Sequence, residues 1–236
     1  MTHRESGVIH QISSNVSSEV AYYRFYKNKQ VELSQMISHI TSPLRDRVAG
    51  RHVLAISDSS QVSLKSRITN LRDRDRVGVL SDNKTPGFHL HLSMCIDAQS
   101  GHGLGLSDLM LWNRPKTSSS QSERSARNEL RPWPEKESYK WRLGIEHSLE
   151  VLDTADQVTF VFDAEADIKD LWKSVSDLPS EAIIRLHNNR SVKLLSVDQV
   201  EEPALKLAEL LSSTASSGSY QLEVRSLKRR NYSRNK

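Results

Sequence analysis

The chain has 236 residues and a mass of 26.8 kDa, enough to bury a sizeable core as one large domain or as a domain with an appendage. Hydrophobic residues make up 36% and charged residues 26%, and mean hydropathy is −0.56, which with no apolar run of about 18 residues excludes a transmembrane helix. Lys and Arg outnumber Asp and Glu by 33 to 29, yet six of the basic residues (Arg225, Lys228, Arg229, Arg230, Arg234, Lys236) sit in residues 225–236; without them the balance is 27 to 29, so the bulk of the chain is near neutral.

The start, "MTHRESGVIHQISSNVSSEV", lacks the apolar stretch of a signal peptide, and a cytoplasmic protein is expected. Residues 1–50 read as a helical N-terminal segment and a candidate DNA-binding element. "SSEVAYYRFYKNKQVELSQMISHI" places apolar and aromatic residues at helical spacing, with Ser17 or Ser18 as N-cap and Gly50 as the break. "HVLAISD" is a short buried strand. "LKSRITNLRDRDRVGVLSDNKTPG" is a polar excursion. "GFHLHLSMCID" (87–97) and "LGLSDLMLWN" (104–113) are two further strands around the turn "AQSGHG". Cys95, the one cysteine, can form no internal disulfide and fits a reducing compartment and a core position.

Residues 114–134, rich in Ser and Pro, read as a surface loop. A helix is predicted over about 135–152, where Trp141, Ile145, Leu149 and Leu152 line one face. "QVTFVFD" is a fourth strand, and "AEADIKDLWKSVSDL" is helical with Ile168, Leu171, Trp172 and Val175 on one side. "EAIIRLHN" (181–188) is a fifth strand, residues 201–213 a helix with an apolar face of Ala204, Leu207, Ala208 and Leu211, and "SGSYQLEVRSL" the start of another strand. Three strands followed by helix, strand, helix, strand predict an α/β protein. That order resembles a ribonuclease-H-like mixed sheet, in which the tips of the first and fourth strands lie side by side. The expected division is a helical segment at 1–50, an incomplete catalytic core at 51–200, and the start of an insertion region with a basic tail at 201–236.

Asp58 ends the first strand and Asp163 the fourth. Two carboxylates held close repel, and each alone would favour protonation. A hard cation resolves this, because Mg²⁺ (or Mn²⁺) takes oxygen ligands and is commonly bound through one or two carboxylates. Such ions serve phosphodiester chemistry. The plainer readings are that Asp163, with Glu165 and Asp167, complements a helix start, and that Asp58 forms an Asx-turn or cap.

Several strings, in order, resemble one family: "AYYRFYKN" (21–28), "LAISDSS" (54–60), residues 87–115, "EKESYKW" (135–141) and "VFDAEADI" (161–168). Residues 20–190 are similar to bacterial insertion-sequence transposases of the cut-and-paste DDE class. The resemblance implies a ribonuclease-H-like core, Asp58 and Asp163 as the first two catalytic, metal-binding carboxylates, and DNA (transposon ends and target) as the partner. A homodimer, or a mixed dimer with a full-length transposase, is a further partner to test, with oligomeric state left open by the sequence.

The family's third carboxylate, a Glu in a Tyr-x-x-Arg-x-x-x-Glu motif, has no counterpart after Asp163. Tyr139, Arg142 and Glu146 fit the spacing but precede Asp163, and Glu209 sits on what looks like a packing helix. The sequence therefore resembles a truncated frame, expected to catalyse poorly. The alternative is a non-catalytic DNA-binding or interaction module that inhibits transposition.

Further DNA-contact candidates are Arg114, in the family's "W.RP" with Trp112 and Pro115, Arg185 inside the fifth strand, Arg190, and Lys228, Arg229 and Arg230 in the tail. Arg24 and Lys27 could touch phosphate or simply face solvent, and Tyr22, Tyr23 and Phe25 suggest helix packing. His89 and His91 share a strand face and could ligate a transition metal, although no Cys or His partner stands nearby at a convincing spacing, and a hydrogen-bonded structural role is expected for His91.

Overall fold

A computed structural model describes residues 8–71, 77–193, 204–215 and 218. The chain divides into two compact units, Met1–His187 and Asn188–Lys236.

Four helices open the first unit: α1 (Ile9–Ile12), α2 (Val16–Lys27), α3 (Leu33–Thr41) and α4 (Leu44–Val48). The N-cap of α2 is Asn15, not a serine. Its side chain accepts the Ser18 amide at 2.9 Å while the Ser18 hydroxyl reaches back to the Asn15 amide at 3.1 Å, so Ser18 is the far half of a capping box. No residue of α2 is buried, and Tyr22, Tyr23, Phe25 and Tyr26 are exposed; the helix-packing reading of this stretch is not realised within the described residues.

Then come β1 (His52–Ser63), β2 (Gly87–Asp97), β3 (Gly103–Trp112), α5 (Gln121–Leu130), α6 (Lys140–Val151), β4 (Gln157–Phe162), α7 (Lys169–Val175) and β5 (Glu181–Ile184). Helix α5 occupies the stretch expected to be loop. Ser120 and Glu123 make a reciprocal capping box there, a signal that the Ser- and Pro-rich composition masks. The helix expected from 135 begins at Lys140, because Trp133–Glu135 and Glu137–Tyr139 form 3₁₀ turns instead. The helix expected from 164 begins at Lys169, after a 3₁₀ turn over Ala164–Ala166.

The five strands form one mixed sheet in the order β3-β2-β1-β4-β5. β1 runs antiparallel to β2, and β2 to β3, while β1–β4 and β4–β5 are parallel. Alternation sets the faces. Val53, Ala55 and Ser57 are buried, and their register partners are Val158, Phe160 and Phe162 on β4 and Asp97, Cys95 and Ser93 on β2. This face packs under α6, whose Trp141 and Ile145 join Leu44, Val48, Leu152 and Leu171 in the core. Cys95 is fully buried, as expected, and burial pushes its thiol up to about 11.

The opposite face is more open. Met94, Ile56, Val161 and Ile183 lie in one register row across β2, β1, β4 and β5, with Met94 44% and Ile183 60% exposed.

In the second unit, β6 (Ser191–Val192) pairs antiparallel with β7 (Leu205–Lys206), followed by α8 (Leu207–Ser213). Leu211 is exposed and no residue of α8 is buried, so the apolar face expected there is not a packed one. The strand expected from 218 lies outside the described residues, apart from Gly218. Among the described residues, no helix is long and apolar enough to cross a membrane.

Candidate metal site

The last parallel pair between β1 and β4 is Ser57 with Phe162. Asp58 and Asp163 each follow by one residue, so the register brings them to adjacent positions; Asp163 stands just past the end of β4, but Asp58 does not end β1 as expected, because the antiparallel ladder with β2 carries the strand on to Ser63. Both follow buried residues and are themselves exposed, and strand alternation puts Asp58 on the face away from α6. One oxygen of each is fixed locally: Asp58 Oδ1 accepts the Ser59 amide at 2.7 Å, and Asp163 Oδ1 accepts the Glu165 amide at 2.9 Å. Asp163 thus caps the start of the 3₁₀ turn over Ala164–Ala166, so its helix-start reading holds alongside its place beside Asp58, whereas Asp58, inside β1, caps no helix.

Two oxygen donors suit a hard divalent cation that completes its shell with water or phosphate. Among the described residues no group of three or more His, Cys, Asp or Glu side chains is placed to hold a metal ion.

The neighbouring acids have other partners. Neither Glu165 nor Asp167 lies in the first turn of α7, where the acid is Asp170. Asp167 is buried and accepts the His187 amide at 3.0 Å, tying the turn to the chain leaving β5. Glu165 pairs with Lys140 Nζ at 2.5 Å. Glu146 is held by Arg142 at 2.7 Å along α6, consistent with a chance match of that Tyr-Arg-Glu spacing, and Glu209 Oε2 accepts the Lys206 amide at the start of α8.

Beneath β1 runs a buried polar layer. His91 is fully buried, its Nδ1 bonded to the Ser59 hydroxyl at 3.0 Å and its ring edge-on to Trp141. Burial, with Lys140 adding repulsion, lowers its pKa to about 4, so the imidazole is neutral. Asp108 is buried as well. Desolvation raises its pKa, opposed by His147, whose Nδ1 lies 3.2 Å from Oδ1. Gly144 is where α6 comes closest: a Cβ there would stand 3.3 Å from His91 Nε2 and 3.6 Å from Asp108 Oδ2. His89 stacks on the half-buried Trp112, with Nε2 3.3 Å from the Val79 carbonyl. Both histidines are thus packed and hydrogen-bonded.

The basic candidates scatter. Arg114 forms a two-pronged ion pair with Glu137 and donates to Ser81 at 3.0 Å, so its fork is occupied within the protein. Arg185 is not inside β5 but one residue beyond it, exposed, with its amide donating to the Phe162 carbonyl. It therefore needs no buried counter-ion. Arg190 belongs to the second unit, where its carbonyl accepts the Leu207 amide. Lys228, Arg229 and Arg230 lie outside the described residues. Lys140, which pattern reading passes over, is the best-enclosed cation among the described residues named here, and the unusual string "EKESYKW" is the signal that could have found it.

Compared with known proteins, the sequence matches no family model, and no curated protein matches it.

Proposed function

We propose that this chain carries a ribonuclease-H-like core of the DDE transposase type, in which Asp58 and Asp163 bind Mg²⁺ or Mn²⁺ for phosphodiester chemistry on DNA. One observation carries the reading: the parallel β1–β4 register sets two exposed acids at adjacent positions of central strands, Asp58 midway along β1 and Asp163 just past the end of β4. The strand order and the two antiparallel pairs on one side of β1 support the same fold.

The bound ions would activate an attacking oxygen and stabilise the leaving one. The chain's own contribution is to aim the carboxylates. Each has one oxygen tied to a backbone amide, leaving the other free to face the ion. Asp58 and Asp163 match two of the family's three carboxylates, and these 236 residues, assayed as they stand, are expected to bind metal and DNA and to cleave slowly or not at all. DNA ends and target are its partners, with a second transposase chain in a homodimer or mixed dimer.

Mn²⁺ titration followed by electron paramagnetic resonance tests the reading. Wild type should bind, and Asp58→Asn or Asp163→Asn should weaken binding by at least about tenfold, since even indirect supports of a metal site commonly cost that much. Duplex DNA binding with unchanged affinity in the double Asn variant, and no Mn²⁺ binding in wild type, would replace this reading with that of a non-catalytic inhibitor module. Rapid Mg²⁺-dependent cleavage lost in Asp163→Ala would overturn the expectation of weak catalysis.

A further inference from the structure

Lys140 is in an expensive place. Its side chain is only 9% exposed, and it is the first residue of α6, where the helix dipole disfavours a cation. Burying an ammonium costs free energy unless it is well paired, and replacing a buried ion pair as a whole by apolar residues of similar volume is often neutral or stabilising. Packing therefore does not account for a lysine here.

What surrounds the ammonium does. Nζ lies 5.5 Å from the ring centres of both Trp112 and Trp141, whose faces attract a cation, and 2.5 Å from Glu165 Oε1. Glu165 is the more exposed partner, at 54%, so the ion pair anchors a surface carboxylate to a buried post. The backbone amide of Glu165 in turn donates to Asp163 Oδ1 at 2.9 Å. Lys140 thus reaches Asp163 in two steps, through the side chain and then the amide of one residue.

We propose that Lys140 is a positioning residue for Asp163, acting through Glu165: it locks the turn after β4 so that one oxygen of Asp163 stays committed to the Glu165 amide and the other stays presented to a divalent cation. The ion pair also keeps Glu165 from swinging towards the same ion. This rests on the metal-binding reading of Asp58 and Asp163.

The test is Mn²⁺ affinity, by electron paramagnetic resonance, in wild type, Lys140→Met, Glu165→Gln, the double variant, Lys140→Arg and Asp163→Asn, with thermal unfolding recorded for each. Lys140→Met and Glu165→Gln should each weaken Mn²⁺ binding by about 10- to 100-fold. The double variant should be no weaker than the worse single one, because both break one linkage. Lys140→Arg should recover part of the affinity.

If wild type binds and Asp163→Asn does not, while Glu165→Gln and Lys140→Met bind as wild type does, the positioning role is wrong and the metal site stands. If wild type binds no Mn²⁺, the metal reading falls and this inference with it. Should Lys140→Met fail to fold, Glu165→Gln alone decides: it alters an exposed side chain, and unchanged affinity in it overturns the proposal.

Discussion

His91 has consequences that a pH titration can read. Its imidazole is neutral in the folded chain, with a pKa lowered to about 4 mainly by burial, while in the unfolded chain it titrates near the ordinary 6.5. Below pH 6.5 the unfolded state takes up a proton that the folded state refuses, so stability falls as pH drops from about 6.5 to about 4. The full effect is on the order of 3 kcal/mol, since each tenfold change in proton affinity corresponds to about 1.4 kcal/mol. Urea unfolding at pH 7 and pH 4.5 should show the loss, and His91→Gln should remove that part of the pH dependence while lowering stability at pH 7. At this scale the sequence is partly legible. The shared face of His89 and His91 follows from strand alternation, and so does the core place of Cys95. Lys140 is marked only by the string "EKESYKW"; its partners Trp112 and Glu165 are not legible, because they come from other elements and pattern reading within one helix cannot find them.

Among the elements, β1 and β2 carry the longest ladder, and its far end is closed by Gly87 opposite Ser63. A Cβ on Gly87 would collide with the Val62 carbonyl oxygen and stand 2.5 Å from Leu80 Cδ2, and backbone cannot yield as a side-chain tip can. Gly87→Ala should therefore destabilise by about 1–3 kcal/mol. Gly103→Ala, with nothing within 4 Å of the added carbon, should stay within about 0.5 kcal/mol. Paired thermal melts of the two variants check this. The existence of the five strands is legible because apolar alternation and short buried runs mark them directly, but the length of β1 is not, because the polar stretch Ser59–Ser63 that continues it has no apolar run to show. Helix α5 is not, because it has no apolar stripe; its one readable mark is the Ser120–Glu123 capping box. Arg185 reads as interior only because the strand-like pattern of "EAIIRLHN" runs on past Ile184, where the ladder stops.

At the scale of the molecule, the two faces of the sheet differ. One is sealed by α6, while the other carries the row Met94, Ile56, Val161 and Ile183, with its outer members exposed. A dye such as anilinonaphthalene sulfonate, which brightens on apolar surface, should bind the native protein, and Ile183→Lys should reduce that signal without unfolding it. An unchanged signal in the variant would place the dye elsewhere. Strand order is legible as a pattern of elements, but the parallel closure of β1 on β4 is a long-range pairing that only the folded chain displays. That closure joins Asp58 to a partner 105 positions further on. During synthesis the first carboxylate leaves the ribosome well before the second exists, and joining them means closing a long loop, a slow kind of contact to form. The two positions therefore come together late: all of β1, β2 and β3 is synthesised before Asp58 can have Asp163 as a neighbour.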